Sequence, residues 1–235
     1  MKAAVATDIS ARDALLTRRS VRGFLPTEVP RETIEALLAL AARAPSGTNI
    51  QPWKVVVVTG AARRRISEAL IAERARGIEH EGEYRYYPPV WREPYLGRRR
   101  ELGKALYVLL GIPKDDIAGR ERHFARNYEF YGAPVGLFFV LDRDMEVGSW
   151  LDLGMFMQNV MIAARAFGLD TCAQQVFAQY HRLINPLLGI GDDEILVCGM
   201  SLGHADPDDP ANLLESRREP VAAFTRFLDG DASEG

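Results

Sequence analysis

Residues 148–167 read GSWLDLGMFMQNVMIAARAF, twenty positions in which only Asp152 and Arg165 carry charge. The stretch predicts a long helix that is apolar nearly all round, and such a helix belongs in the middle of something. It is either the core of the domain or the centre of an interface between two copies. Asp152, Gln158, Asn159 and Arg165 are too many polar groups for a lipid-exposed span, so no membrane crossing is expected.

Outward from this helix, Pro134–Leu141, Thr171–Phe177 and Ile195–Leu202 read as strands, the last two separated by a helix around Gln179–Leu188. Val55–Thr59, a β-branched run bounded by Pro52 and Gly60, predicts another buried strand. Ser10 and Asp13 have capping-box spacing and open a short helix to about Thr17. Pro30 opens a second, with Ile34, Leu37, Leu38 and Ala41 on one stripe and Pro45 unable to continue it. Ala61–Arg76, Leu102–Leu110 and Asp115–Ala125 read as further helices, and a polar arm from about 204 to 235 carries a short helix near Val221–Leu228. Helices and strands mix without strict βαβ alternation, which favours one three-layer α+β domain over residues 1–235 rather than a doubly wound sheet.

From His80 to Arg100 the pattern breaks. Tyr84, Tyr86, Tyr87, Trp91 and Tyr95 interleave with Pro88, Pro89, Pro94 and charges, an excursion that is neither strand nor regular helix. Five aromatics in an irregular segment suit a lid over a planar ligand, and equally suit packing of the loop on its own domain or on a partner subunit.

With 235 residues, 47% of them hydrophobic, the chain can bury a core without disulfides or a structural metal. The formal charge is −3, and all but four of the 29 basic residues are dispersed arginines, so the basic stripe of a nucleic-acid binder is missing. Met1–Ile9 has no apolar core after Lys2, from which we expect no secretory leader and a cytoplasmic protein. Cys172 and Cys198 lie in apolar runs and read as reduced, buried residues. The four histidines show no ligand spacing, so no metal is expected.

Arg18, Arg19, Ser20 and Arg22 put three guanidinium groups and a hydroxyl into five residues, either a phosphate cradle or a solvated helix end. Pro45-Ser-Gly-Thr-Asn-Ile-Gln-Pro-Trp53 combines small residues, two amides and stiffened ends, which suits a heterocycle with alternating donors and acceptors or a plain loop. Gly199-Met-Ser-Leu-Gly203 matches a nucleophile elbow, but the acid and histidine of that fold follow on separate, later loops that this chain is too short to hold. A serine hydrolase is therefore set aside.

Together these clusters resemble the FMN-dependent nitroreductase family, from about Thr17 to Phe227. Arg18–Arg22 is similar to its opening flavin motif, Ala44–Trp53 to its second, and Gly168–Cys172 with Gln174-Gln175, Gly199–Gly203 and Arg217 to its later landmarks. The aromatic excursion and Asn127–Pro134 resemble the nitrobenzoate-reductase-type branch.

The resemblance implies a three-layer α-β-α fold with a mostly antiparallel or mixed sheet, in an intertwined homodimer with FMN at the interface. Arg18, Arg19 and Arg22 would meet the phosphate and pyrimidine edge, with Ser20 beside them. Pro45, Ser46, Gly47 and Asn49 would reach the same flavin from the other subunit. Ala173, Gln174 and Gln175 would pass the central ring, and Arg217 would close on the phosphate. Trp91 and Tyr95 are the candidate substrate lid, within the excursion at about 80–100. The flavin rather than a protein side chain would carry the chemistry, taking electrons from NADPH or NADH and passing them by a ping-pong mechanism to a small aromatic acceptor, a nitro compound or quinone. Two departures stand out: Ala173 replaces a common proline, and Glu215 stands where some members place a second phosphate-binding lysine. Reductive dehalogenation and a non-catalytic flavin sensor are the alternatives, the first disfavoured by Asn49 and Gln51-Pro52-Trp53.

Overall fold

The computed structural model describes residues 6–78 and 80–228. The leader expectation rests partly on residues 1–5 and the expected arm runs past 228, and those parts lie outside the described residues. In chain order the elements are α1 (Ala11–Thr17), α2 (Arg31–Ala41), β1 (Lys54–Thr59), α3 (Gly60–Ala75), α4 (Tyr95–Leu109), α5 (Ile117–Ala125), β2 (Val135–Asp142), α6 (Val147–Ala166), β3 (Asp170–Gln174), α7 (Val176–Gln179), α8 (His181–Leu188) and β4 (Glu194–Gly203). The strands form one antiparallel sheet in the order β1-β2-β4-β3. The fold is α+β.

Because β2 and β4 are central and covered on both faces, they are apolar almost without interruption. Leu137, Phe139 and Leu141 face α2 and α6, packing with Leu37, Phe156 and Val160. Phe138 and Val140 face the other way, onto Leu70 of α3 and Ile184 of α8. Three layers follow from that alternation. A register shift beside Phe139/Val140 leaves Val197 out of the ladder, so that Val197 and Cys198 both join the α6 side. The Tyr84 hydroxyl donates to the Val197 carbonyl, and its ring packs edge-on against Trp150, so the aromatic excursion is pinned at this bulge.

Gly199 and Gly136 make room for a stacked pair of rings, Phe130 and Phe177, with centroids 4.7 Å apart. A Cβ on Gly199 would lie 2.3 Å from the Phe177 ring, and one on Gly136 2.4 Å from that of Phe130. Ser201 is fully buried in the middle of β4, with its hydroxyl at the Phe130 carbonyl and the Gln174 amide oxygen. No strand-to-helix elbow presents it to a substrate.

Five expectations need correction. β1 is an edge strand, not a buried one: Val57 is 39% exposed. β3 stops at Gln174, because Gln175 turns into the right-handed region and Phe177 is drawn under the sheet. The helix expected from Gln179 begins instead at His181, after α7. Helix α4 starts at Tyr95 rather than Leu102, since Glu93 accepts from the Gly97 amide (2.9 Å) behind Pro94, so the irregular part of the excursion ends before Tyr95. The arm forms only a 3₁₀ turn at Val221–Ala223 where a helix to Leu228 is expected. No helix of the described residues is long and apolar enough to cross a membrane.

Candidate active site

The Ser10 hydroxyl caps α1 by accepting from the Asp13 amide at 3.0 Å, and the helix ends where Arg18 turns extended. The following residues are stitched to the sheet edge: Ser20 forms a parallel bridge with Thr171, and the Val21 amide donates to the Thr171 carbonyl at 3.0 Å. On the other side Asn212, 3% exposed, accepts from the Arg22 amide (2.7 Å) and donates to the Gly23 and Asp206 carbonyls (2.8 and 2.9 Å). Its side-chain amide substitutes for a neighbouring strand, a role the sequence does not announce.

These anchors hold Arg18, Arg19, Ser20 and Arg22 at a cleft of about 760 Å³, with Arg165, Asp170, Glu215 and Arg218 also on its walls. Arg165 is neutralised by Asp170 at 2.5 Å. Among the described residues no carboxylate pairs with Arg18, Arg19, Arg22 or Arg218. Burial and the nearby Arg218 both lower the pKa of Arg18. The cleft therefore carries positive charge that the chain does not balance, which favours an anion with several oxygens.

The second cluster is built from backbone strain. Thr48, Asn49 and Gln51 all have positive φ (46°, 62° and 49°), costly for non-glycine residues. Three contacts hold the loop in this state: Asp152 accepts from the Gly47 amide (3.1 Å), Ser46 Oγ from the Gln51 amide (3.0 Å), and Trp53 stacks on Phe156 at 4.8 Å. Pro45, Gly47 and Asn49 are exposed and Ser46 partly so, so the loop presents edges rather than filling the core.

At the end of β3, Ala173 faces outward and Gln175 lies beside the Tyr84 hydroxyl. The Gln174 side chain turns inward instead: its amide donates to the Asn127 carbonyl at 2.8 Å, and its oxygen accepts from Ser201. It fixes the segment rather than reaching out. Cys172 and Cys198 are free and buried, and burial pushes their thiols up to about 11 and about 12.

Trp91 stacks obliquely with Tyr87 (5.2 Å) and lies under the Arg99 guanidinium (4.8 Å), whereas Tyr95 sits between Arg92 and Arg98. Arg217 is not on the cleft wall. It is 89% exposed and pairs with Glu101 of α4 at 3.2 Å.

The strained loop and the arginine cleft meet α6 at opposite ends, the first at Asp152 and the second at Arg165. Thirteen residues of helix separate them by about 20 Å. The donor set of the cleft fits the phosphate of a flavin mononucleotide, and the exposed backbone edges of the loop fit its heterocycle.

A family model described as the nitroreductase family matches residues 15–204. The chain is 40% identical over 219 residues to a 4-nitrobenzoate reductase of Pseudomonas putida, covering 92% of this chain and 94% of that one. Among solved structures it is similar to an FMN and NADPH-dependent nitroreductase, NfnB, from Sphigopyxis sp. strain HMH, with a TM-score of 0.91 and 40% identity over 94% of this chain and all of that one. A second, the FMN-dependent NfnB from Mycobacterium smegmatis in complex with NADPH, gives a TM-score of 0.88 at 33% identity, covering 93% and 98% of the two chains.

Proposed function

The chain belongs to the nitroreductase family, and on that premise we propose that it is an FMN-dependent oxidoreductase that takes electrons from NAD(P)H and delivers them, by a ping-pong mechanism, to nitroaromatic or quinone-type acceptors. One observation carries the reading: four guanidinium groups without carboxylate partners among the described residues face one cleft beside β3. When bound, the flavin supplies the redox chemistry of both half-reactions. The chain supplies binding, orientation and field. Arg18, Arg19 and Arg22 hold the phosphate and the pyrimidine edge with Ser20 beside them, and the outward edge of Ala173 and Gln175 borders the ring. Trp91 and Tyr95 close over the acceptor.

The second set of flavin contacts, Pro45, Ser46, Gly47 and Asn49, comes from another copy. On α6 the exposed Val147, Leu151 and Met155 recur at every fourth residue, an apolar stripe on a helix whose other side fills the core. Two such helices crossing antiparallel about a two-fold axis near Gln158, midway between Asp152 and Arg165, bring the Asp152 end of one to the Arg165 end of the other, which removes the separation of about 20 Å. The functional unit is a homodimer with two flavins. Free, buried thiols at Cys172 and Cys198 suit a reducing compartment, the cytoplasm.

The test is a visible spectrum of the purified protein, recorded anaerobically before and after NADPH and then after 4-nitrobenzoate. We expect a flavin spectrum that bleaches with the nucleotide and recovers with the nitro compound. A colourless protein that takes up no added FMN sinks the reading.

A further inference from the structure

The stretch Arg126–Gly132, RNYEFYG, is a 3₁₀ turn that carries Phe130 and Tyr131 in the left-handed region, with φ of 55° and 54°. Two aromatic residues in succession there are costly, and the surrounding structure must hold them. It holds them from two sides. The Phe130 carbonyl lies 2.8 Å from the Ser201 hydroxyl of β4, and the Tyr131 carbonyl accepts from the amide of Phe24 (3.1 Å), two residues beyond Arg22. Asn127 closes the turn on itself and on β3. Its Oδ1 accepts from the Tyr131 hydroxyl (2.7 Å), its Nδ2 donates to the Phe124 carbonyl (2.9 Å), and its own carbonyl accepts from Gln174 Nε2 (2.8 Å). One strained turn is thus tied both to the segment that carries Arg22 and to the end of β3.

We propose that Tyr131 and Asn127 are positioning residues for Arg22: Asn127 accepts the hydrogen bond of the Tyr131 hydroxyl, which turns the lone pairs of the phenolic oxygen to the Arg22 guanidinium. The assignment rests on the reading of the cleft as the FMN site. A guanidinium only donates, and a phenol both donates and accepts, so the order Arg22 to Tyr131 to Asn127 is the one that satisfies all three. Burial raises the pKa of Tyr131, with Cys172 adding to it and Arg22 opposing it both as a charge and as a donor, so the phenol keeps its proton beside the guanidinium. The ring of His123 is centred 6.3 Å from that of Tyr131, and its pKa is lowered by burial, by Arg126 and by Arg22. Both aromatic side chains face the same guanidinium, and both face it uncharged.

The kind of partner matters. A carboxylate would fix Arg22 and cancel its charge, whereas a phenol fixes it and leaves the charge unbalanced. The other hydrogen bond printed by the geometry of Arg22 Nη1 is to the Ser20 carbonyl at 3.2 Å, which is neutral as well. A fixed positive charge at the pyrimidine edge favours the reduced, more negative form of the cofactor over the oxidised one. The two left-handed residues bring a neutral acceptor, rather than an acid, against that guanidinium.

Midpoint potentials of the bound cofactor, measured anaerobically against reference dyes, test the assignment in wild type, Y131F, N127A, R22A and the double variant Y131F/R22A, each saturated with FMN. For a two-electron couple, a tenfold change in the ratio of affinities for the two redox states is about 30 mV. R22A is expected to lower the potential by about 60 mV, a change of about a hundredfold in that ratio. Y131F is expected to lower it by about 30 mV, since the charge stays but is no longer held in place. N127A keeps the phenol and loses its anchor, so its potential should fall between those of Y131F and wild type. In the R22A background Y131F should add nothing, because its effect runs through the guanidinium. A role in the fold alone would lower thermal stability in both backgrounds and leave the potential where it was. A wild-type potential in Y131F, or an equal drop with and without Arg22, overturns the assignment while leaving the flavin reading intact. A wild type that takes up no FMN removes the flavin reading first.

Discussion

The two ends of α6 solve different recognition problems by different means. At the Arg165 end the chain is relaxed and the signal is charge: residues 18–22 avoid the left-handed region, and four guanidinium groups face a cleft without carboxylate partners among the described residues. At the Asp152 end charge is spent internally, on the Gly47 amide, and the signal is shape: three non-glycine residues with positive φ hold backbone edges outward. One end suits a phosphate and the other a flat heterocycle with an edge of donors and acceptors. Both lie on the same helix about 20 Å apart, and under the proposed function one flavin meets both across a pair of chains, which is where the comparison breaks most easily.

The largest effect is expected from Leu151→Arg. Leu151 is 69% exposed in the single chain, so the substitution leaves the monomer fold intact. In the proposed seam between two α6 helices it would bury an unpaired charge on each side of the two-fold, and about 4 kcal/mol lost there would weaken the dimer about 1,000-fold. Light scattering coupled to gel filtration should show a monomer, and FMN should no longer be retained, because the Asp152 end of one chain has lost the Arg165 end of the other. A monomer that keeps FMN at wild-type affinity would show that one chain is sufficient and that the shape end takes no part.

How much of this contrast is legible in the sequence differs between the ends in the same way. Charge is written in residue identity, so the side-chain chemistry of Arg18, Arg19 and Arg22 brings a cradle into view beside the alternative of a solvated helix end, and the run of α6, with only Asp152 and Arg165 charged, already calls for a central position. Parity and edges are not written there. β1 is β-branched whether central or at an edge, so its exposure is decided only by the order of the sheet. Arg217 is the arm arginine that the family resemblance points to, yet its side chain pairs with Glu101 on α4, and Arg218, one residue on, lines the cleft together with Glu215. Gln174 reads as a ligand because it is an amide beside the ring, but Ser201 and Asn127, distant in sequence, have taken both of its functions. Asn212 is invisible for the same reason: its partners Arg22 and Gly23 lie 190 and 189 residues away.

Asp152→Ala comes next in size and separates the two ends chemically. It removes the acceptor of the Gly47 amide, a loss of about 2 kcal/mol, which for a chain of this length lowers Tm by about 6 °C. Flavin binding should weaken by about tenfold, and by the same factor for FMN and riboflavin, because the shape end does not touch the phosphate. Asp152→Asn keeps an oxygen in place and should recover most of both effects. A loss confined to FMN would mean that Asp152 acts through the cleft at the other end of the helix, and the division of labour would be wrong.

The smallest effect has opposite signs in two measurements. Thr48 is β-branched and holds φ at 46°, a conformation that costs about 1–2 kcal/mol for such a residue. Among the described residues its hydroxyl donates only to the neighbouring Gly47 carbonyl, at 2.8 Å, so little else is lost on its removal. Thr48→Gly relieves the strain and gives back about 0.5–1 kcal/mol through the entropy of the unfolded chain. The balance is a gain of up to about 1 kcal/mol, a rise in Tm of no more than about 3 °C. The same freedom loosens the loop in the folded state, so flavin affinity should fall a few-fold even as the protein becomes more stable. A glycine variant that is both more stable and tighter for flavin would show that the left-handed turn is a defect the fold tolerates, and that the shape end is not preorganised by strain.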